Sequence, residues 1–214
     1  MRALVCREFG PPEALEVGEL PEPEAKADEV LIQVEAAAAS FADSLMIRDL
    51  HQNKHTLPFA PGMEVAGEII GLGKDVSGLK IGDRVMALVY DGGYAERAVA
   101  PATETFRIPD SMEAGTAAAM CASYLTSHGA LVWQARTEPG ERVLVLGAAG
   151  GVGLAAVEIA KALGATVIAA ASTPEKLALA AAHGADHGIN YSEGDLREQV
   201  LGLTDGNGVD IVYD

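Results

Sequence analysis

The sequence predicts an α/β protein in two parts, a small, mostly β domain followed by a doubly wound parallel sheet. Three observations carry this reading. The first 110 or so residues are punctuated by Gly and Pro and hold short strand patterns. From about residue 111 the chain becomes Ala-rich, and strand then alternates with helix. Between the first such strand and its helix lies LVLGAAGGVG at 144–153, a strand running directly into a glycine-rich bend.

The early elements follow from period-two alternation. MRALVCREFG opens on a short strand, and VLIQVEA at 30–36 alternates apolar and polar positions as a half-buried strand does. AGEIIGLG at 66–73 and DRVMALV at 83–89 are further strands, separated by SGLKIGDR with a tight bend at Gly82-Asp83. SMEAGTAAAM and SYLTSHGALVWQA carry helical spacing as two segments, and EPG at 138–140 ends the second. RVLVL, GLAAVEIAKALG, ATVIAAA, PEKLALAAAHG, DHGIN, DLREQVLGL and VDIVYD then alternate, the pattern of βαβ units in a parallel sheet. The fourth strand, VDIVY, would be a bare apolar edge. A doubly wound dinucleotide domain has six strands, so the sequence is expected to be a fragment of a longer chain. Residues 1–214 alone are expected to hold a coenzyme weakly and to aggregate.

Bulk properties exclude several functions. The net charge is −16 with only 15 Lys and Arg, which argues against nucleic acid and against an anionic membrane surface. No stretch approaches 18 uninterrupted apolar residues, and the N-terminus lacks the apolar core of a signal peptide. The two cysteines, Cys6 and Cys121, do not make a disulfide framework. A reducing, cytoplasmic setting is expected.

The glycine bend carries the first chemistry. Gly147, Gly150 and Gly153 recur at three-residue intervals, with Gly151 and Val152 opening the helix between them. Gly147 permits the turn, Gly150 lets backbone approach a diphosphate, and Gly153 lets the helix pack on the strand. The first helix amides are donors at the positive end of the helix, suited to a diphosphate. NAD-binding versions of this bend place an Asp or Glu about 20 residues on, against the adenosine ribose. Here the second strand ends Ala169-Ala170-Ala171-Ser172, without a carboxylate, and Lys176 follows one helical turn later. The absence of a like charge, with donors from Ser172 and Lys176, favours a 2′-phosphate and therefore NADPH.

With these residues in view, the chain resembles the medium-chain dehydrogenase/reductase superfamily, most closely its zinc-independent NADPH:quinone oxidoreductase (zeta-crystallin-like) branch. The resemblance rests on SFADSLMIR at 40–48, PGMEVAGEIIGLG at 61–73, KIGDRV at 80–85, GGYAE at 92–96, YLTSHGAL at 124–131 and LVLGAAGGVGLAAVEIAKALGA at 144–165. It implies a GroES-like catalytic domain over 1–122 and a C-terminally incomplete Rossmann domain over 123–214, with the active site in the cleft between them. It also implies a homodimer for the full-length protein. Zinc-dependent relatives carry ligands at positions that read Ser40, Met63 and Ala122 here, so no metal is expected. Cys121 lies one position off and reads as a small buried hydrophobe, and His51 and His55 read as solvated loop histidines.

The reaction implied is hydride delivery to a quinone or an α,β-unsaturated carbonyl, whose oxygen then needs a hydrogen-bond donor. Ser40 stands where the family commonly offers Asn, and a hydroxyl donates a single hydrogen bond. Asp43 and Arg48 match family positions and are expected to pair. Leu45 and His51 replace tyrosines common in quinone reductases, which weakens quinone as the specific acceptor. Tyr124 and Thr126 match positions that pack the nicotinamide, and Tyr191 matches a tyrosine near the 2′-phosphate. Glu64 is expected to be a structural carboxylate. Two other readings stay open: an enoyl-thioester or alkenal reductase on the same scaffold, and a non-catalytic NADPH-binding sensor or structural protein.

Overall fold

The computed structural model describes residues 1–214, and they divide into two compact units, Met1–Cys121 and Ala122–Asp214. The first is built on β-structure. Strands β1 (Arg2–Val5) and β2 (Glu16–Glu19) form an antiparallel pair. A five-stranded antiparallel sheet is made by β3 (Glu29–Ala37), β4 (Glu64–Leu72), β5 (Arg84–Leu88), β6 (Arg97–Pro101) and β7 (Thr105–Arg107), in the order β6-β3-β4-β5-β7. Alternate residues Val30 and Ile32 point inward and meet Val65, Ile69, Val85, Ala87 and Ala98 in one core, as the period-two pattern requires. The bend before β5 closes through Lys80 N, which donates to Asp83 Oδ2 at 3.0 Å. One short helix, α1 (Phe41–Met46), interrupts the strands between β3 and β4.

The second unit carries a four-stranded parallel sheet of β8 (Arg142–Leu146), β9 (Thr166–Ala171), β10 (His187–Asn190) and β11 (Ile211–Tyr213), in the order β10-β9-β8-β11. Helices α3 (Gly151–Ala162), α4 (Pro174–Ala182) and α5 (Leu196–Leu203) connect them. Val143, Val145, Val167 and Ala169 are buried against Ala156, Val157 and Ala160 of α3, while Leu144 and Ile168 face a second core with Ile189 and Val200. Both faces of β8 and β9 are covered, which explains their unbroken apolar sequences. The strand order reverses beside β8, where parallel sheets open a crevice at the carboxyl ends of their strands.

The Ala-rich stretch departs from expectation. SMEAGTAAAM and SYLTSHGALVWQA are not two helices. A single helix, α2 (Ala114–His128), runs unbroken through Cys121 and Ala122 and continues as a wider π-helical turn over Gly129–Gln134. No breaker stands between the two segments, so the backbone ladder simply continues through Cys121-Ala122-Ser123. No helix is long and apolar enough to cross a membrane.

Candidate coenzyme and substrate sites

The glycine bend sits at the carboxyl end of β8. Gly147 has φ +58°, in the left-handed region that glycine enters without a steric penalty, and Gly150 N donates to Gly147 O at 2.9 Å to close the turn. A methyl group built on Gly153 would overlap the Gly147 carbonyl, so only glycine lets α3 approach β8 this closely. A methyl on Gly150 meets no atom nearer than 3.4 Å, so the protein itself does not demand glycine there. What Gly150 leaves open is the outer surface of the bend. The first regular helical bond runs from Leu154 N to Gly150 O at 2.8 Å, leaving the amides of Gly151, Val152 and Gly153 ahead of the ladder. Gly147, Gly150, Gly151 and Val152 are exposed. This mouth fits a diphosphate through main-chain donors and the positive end of a twelve-residue helix.

Beside the bend lies a cavity of about 170 Å³ lined by Gly147, Ala149, Gly150, Ala171, Lys176 and Tyr191. Parallel pairing assembles it: Asn190 lies opposite Ala171, so the residues following β9 and β10 emerge side by side. Tyr191 N donates to Ala171 O at 3.2 Å, and Lys176 Nζ donates to Ser172 Oγ at 3.2 Å. Thr173 caps α4 by accepting from Lys176 N at 3.4 Å, a cap that sequence reading missed although Thr-Pro-Glu is a common helix start. The lining holds one ammonium, one phenol and no carboxylate. An additional phosphate next to the ribose fits this chemistry, and a bare ribose diol finds no acid to accept its hydrogen bonds. Gly147, Gly150, Lys176 and Tyr191 therefore meet at one cavity, with Ser172 tied to Lys176.

Tyr124 and Thr126 lie in the second half of α2. Thr126 is exposed. The Tyr124 hydroxyl donates to Glu158 Oε2 in the second turn of α3, and His183 Nδ1 lies 2.5 Å from the other carboxylate oxygen. Hydrogen bonding to Glu158 pushes the Tyr124 phenol up to about 12, with burial as the second cause. The same bond, with the one from His183, holds Glu158 below the usual carboxylate range. This three-residue network joins α2, α3 and α4 and was not legible in the sequence.

The candidate substrate residues belong to the first unit. Ser40 is half-buried immediately before α1, and its N–H donates to Asp43 Oδ2 at 2.7 Å. Asp43 is buried, and its Oδ2 also accepts from the Tyr94 hydroxyl at 2.8 Å. The expected pairing of Asp43 with Arg48 does not form. The exposed Arg48 guanidinium donates to Ser44 O at 3.1 Å, because Arg48 lies in the turn past the end of α1, two residues beyond Met46. The partner of Asp43 is a phenol, not a guanidinium. Glu64 is buried at the start of β4. The reading of His55 as a solvated loop residue is also corrected. Its side chain is 1% exposed, stacked on Phe59 at 4.8 Å, with Nδ1 3.0 Å from Asp91 Oδ2. Tyr90, distant in sequence, packs on the same ring at 4.6 Å, a contact that local composition does not show.

Family comparison agrees with this geometry. Residues 26–110 match the model described as alcohol dehydrogenase GroES-like domain, and residues 151–214 match the one described as zinc-binding dehydrogenase. A probable oxidoreductase from Mycobacterium abscessus of known structure superposes with a TM-score of 0.92 at 38% identity, over all of this chain and 68% of that one. The chain belongs to the medium-chain dehydrogenase/reductase superfamily, in its zinc-independent quinone-oxidoreductase branch. Quinone oxidoreductase-like protein 2 of Bos taurus is 41% identical over 214 residues, covering the whole of this chain and 61% of that relative. The Thermus thermophilus quinone oxidoreductase, solved also with NADPH, superposes with a TM-score of 0.84 at 40% identity over 66% of its length. The chain thus spans about three fifths of the curated relative's length.

Zinc, named in one of the two matching descriptions, does not fit this superfamily member. The positions that would hold it read Ser40, Met63 and Ala122, a hydroxyl, a thioether and a methyl. The neighbouring Cys121 thiol is fully buried, and burial, with Glu64 and Glu104, pushes it up to about 12. No group of three or more His, Cys, Asp or Glu side chains is arranged to hold a metal ion.

Proposed function

We propose that the protein is a zinc-independent oxidoreductase that uses NADPH to reduce a quinone or an α,β-unsaturated carbonyl. The observation that carries the coenzyme assignment is the cavity beside the glycine bend, which contains Lys176 and Tyr191 and lacks any carboxylate. Gly151, Val152 and Gly153 amides hold the diphosphate, and Lys176, Ser172 and Tyr191 receive the 2′-phosphate. Thr126 and Tyr124 belong to the nicotinamide end. Bound there, NADPH supplies a hydride to the substrate.

The chain's own residues handle the oxygen on which charge develops. Ser40 donates a hydrogen bond to that oxygen, and a donor fixed in place stabilises the transition state more than the ground state. Asp43 fixes the Ser40 backbone through Oδ2 and stays out of the chemistry. Arg48, directed elsewhere, shapes the exposed end of α1 and takes no part in holding Asp43. Reduction of a quinone to a hydroquinone consumes one hydride and one proton, and solvent supplies the proton through the Ser40 hydroxyl. The full-length protein is read as a homodimer by analogy with the family, and oligomeric state is measured separately by light scattering.

Steady-state NADPH oxidation with 1,4-naphthoquinone and with 2-cyclohexenone tests the assignment. Turnover of either acceptor, with Ser40→Ala lowering kcat about tenfold, supports it. Tight coenzyme binding with no turnover of either acceptor would favour a non-catalytic sensor.

A further inference from the structure

Tyr94 stands at the junction of the segments that the proposed reaction depends on. The loop before it runs along residues 60–63: Val89 N donates to Met63 O at 2.9 Å, Gly92 N to Ala60 O at 2.7 Å, Gly93 N to Gly62 O at 3.0 Å and Tyr94 N to Pro61 O at 2.9 Å. The Tyr94 ring lies on Gly62, where an added methyl would come within 2.7 Å of its Cδ1. Gly62 has φ +98°, so that contact depends on glycine twice over, for backbone and for space. At the far end of the ring, the hydroxyl donates to Asp43 Oδ2 at 2.8 Å, with Ala38 O 3.2 Å away as a second acceptor.

Asp43 has few other attachments. Its Oδ1 is buried and has no hydrogen-bond partner, so the carboxylate acts through Oδ2 alone. The donors to Oδ2 are the Ser40 amide and the Tyr94 hydroxyl. A buried carboxylate with one working oxygen depends strongly on each donor it has. Burial first, and Asp43 second, raise the Tyr94 phenol far above the ordinary tyrosine value, so it stays a donor throughout the working pH range.

We propose that Tyr94 is a positioning residue for the reducing site: through Asp43 it sets the backbone at Ser40, while its ring fixes the Pro61–Met63 segment. The inference rests on the reading of Ser40 as the hydrogen-bond donor to the substrate oxygen. Tyr94→Phe keeps the ring on Gly62 and removes only the hydroxyl. The Ser40 amide is then the single donor to Asp43, and the start of α1 gains freedom. Catalytic geometry tolerates little of this, since displacements near 1 Å can cost on the order of 100-fold in rate.

A double-mutant cycle in the full chain tests the inference, with NADPH and 1,4-naphthoquinone as probes. Ser40→Ala and Tyr94→Phe are each expected to lower kcat about tenfold with NADPH KM unchanged. The double variant is expected to be no worse than Ser40→Ala, because Tyr94 acts through Ser40. If the two losses multiply, or Tyr94→Phe turns over like the parent while Ser40→Ala is impaired, the positioning role is overturned and the Ser40 reading survives. If Ser40→Ala is fully active, both fall together. A second readout needs no turnover: amide hydrogen exchange at Ser40 should speed up about tenfold in Tyr94→Phe, with exchange in α3 unchanged. Unaltered exchange at Ser40 would overturn the proposal.

Discussion

In the proposed reading, coenzyme choice turns on Lys176. Its ammonium lines the cavity beside the glycine bend, bonded only to a serine hydroxyl that a phosphate can join. A charge-assisted hydrogen bond is worth about 1.5–3 kcal/mol. Lys176→Ala should therefore weaken NADPH binding about 10- to 100-fold and leave NADH nearly unchanged, as read by calorimetric titration. Glu158 offers a second residue-scale prediction. Hydrogen bonds from Tyr124 and then His183 hold it below the usual carboxylate range. A depressed carboxylate contributes stability that is complete above its unfolded-state value, about 4.3, and is lost as pH falls toward the folded-state value. The side chain is 36% exposed, so solvent screening keeps the effect modest. Glu158→Gln should lower the melting temperature at pH 7, and the gap from the parent should close below about pH 4. Residue roles were the part least visible in sequence. Lys176 and Ser172 could be inferred because one helical turn separates them. The partner of Asp43 could not, because Tyr94 lies 51 residues away and the nearby Arg48 looked the obvious counterion. GGYAE was present as a motif, but nothing local says where its phenol points.

At the scale of the element, the β8–α3 bend separates a glycine that the fold needs from one that, in the proposed reading, the coenzyme needs. Gly153→Ala drives a methyl into the Gly147 carbonyl, and overpacking of this kind costs about 1–3 kcal/mol. Gly150→Ala meets only a 3.4 Å neighbour at a normal backbone φ of −79°. Gly153→Ala should thus lose thermal stability with or without coenzyme. Gly150→Ala should melt within about 1 kcal/mol of the parent yet bind NADPH at least tenfold more weakly. Thermal denaturation paired with titration separates the two. This element was legible because its determinants are local: a strand, a left-handed glycine and a close-packed glycine lie within eleven residues of one another. The same locality misled at α2, where two Ala-rich segments were read apart and no breaker residue exists to part them.

For the whole molecule, composition and topology agree on function class. An acidic chain with 15 basic side chains places one ammonium in the cavity beside the glycine bend, so the proposed phosphate recognition rests on placement and not on net charge. The parallel order β10-β9-β8-β11 brings the ends of β9 and β10 beside the glycine bend, and so assembles a cavity from residues 147–150, 171–176 and 191. Sequence pattern was enough for the four strands of the parallel sheet, because both faces of β8 and β9 are covered and read as apolar runs, while β2, β6 and β7 and the strand order came with the pairing. The cavity itself needed the register Asn190 opposite Ala171. Calorimetric titration of the chain with NADPH and, separately, with NADH measures that arrangement directly. The account predicts NADPH bound at least tenfold more tightly than NADH. Equal affinities, or a preference for NADH, would contradict it.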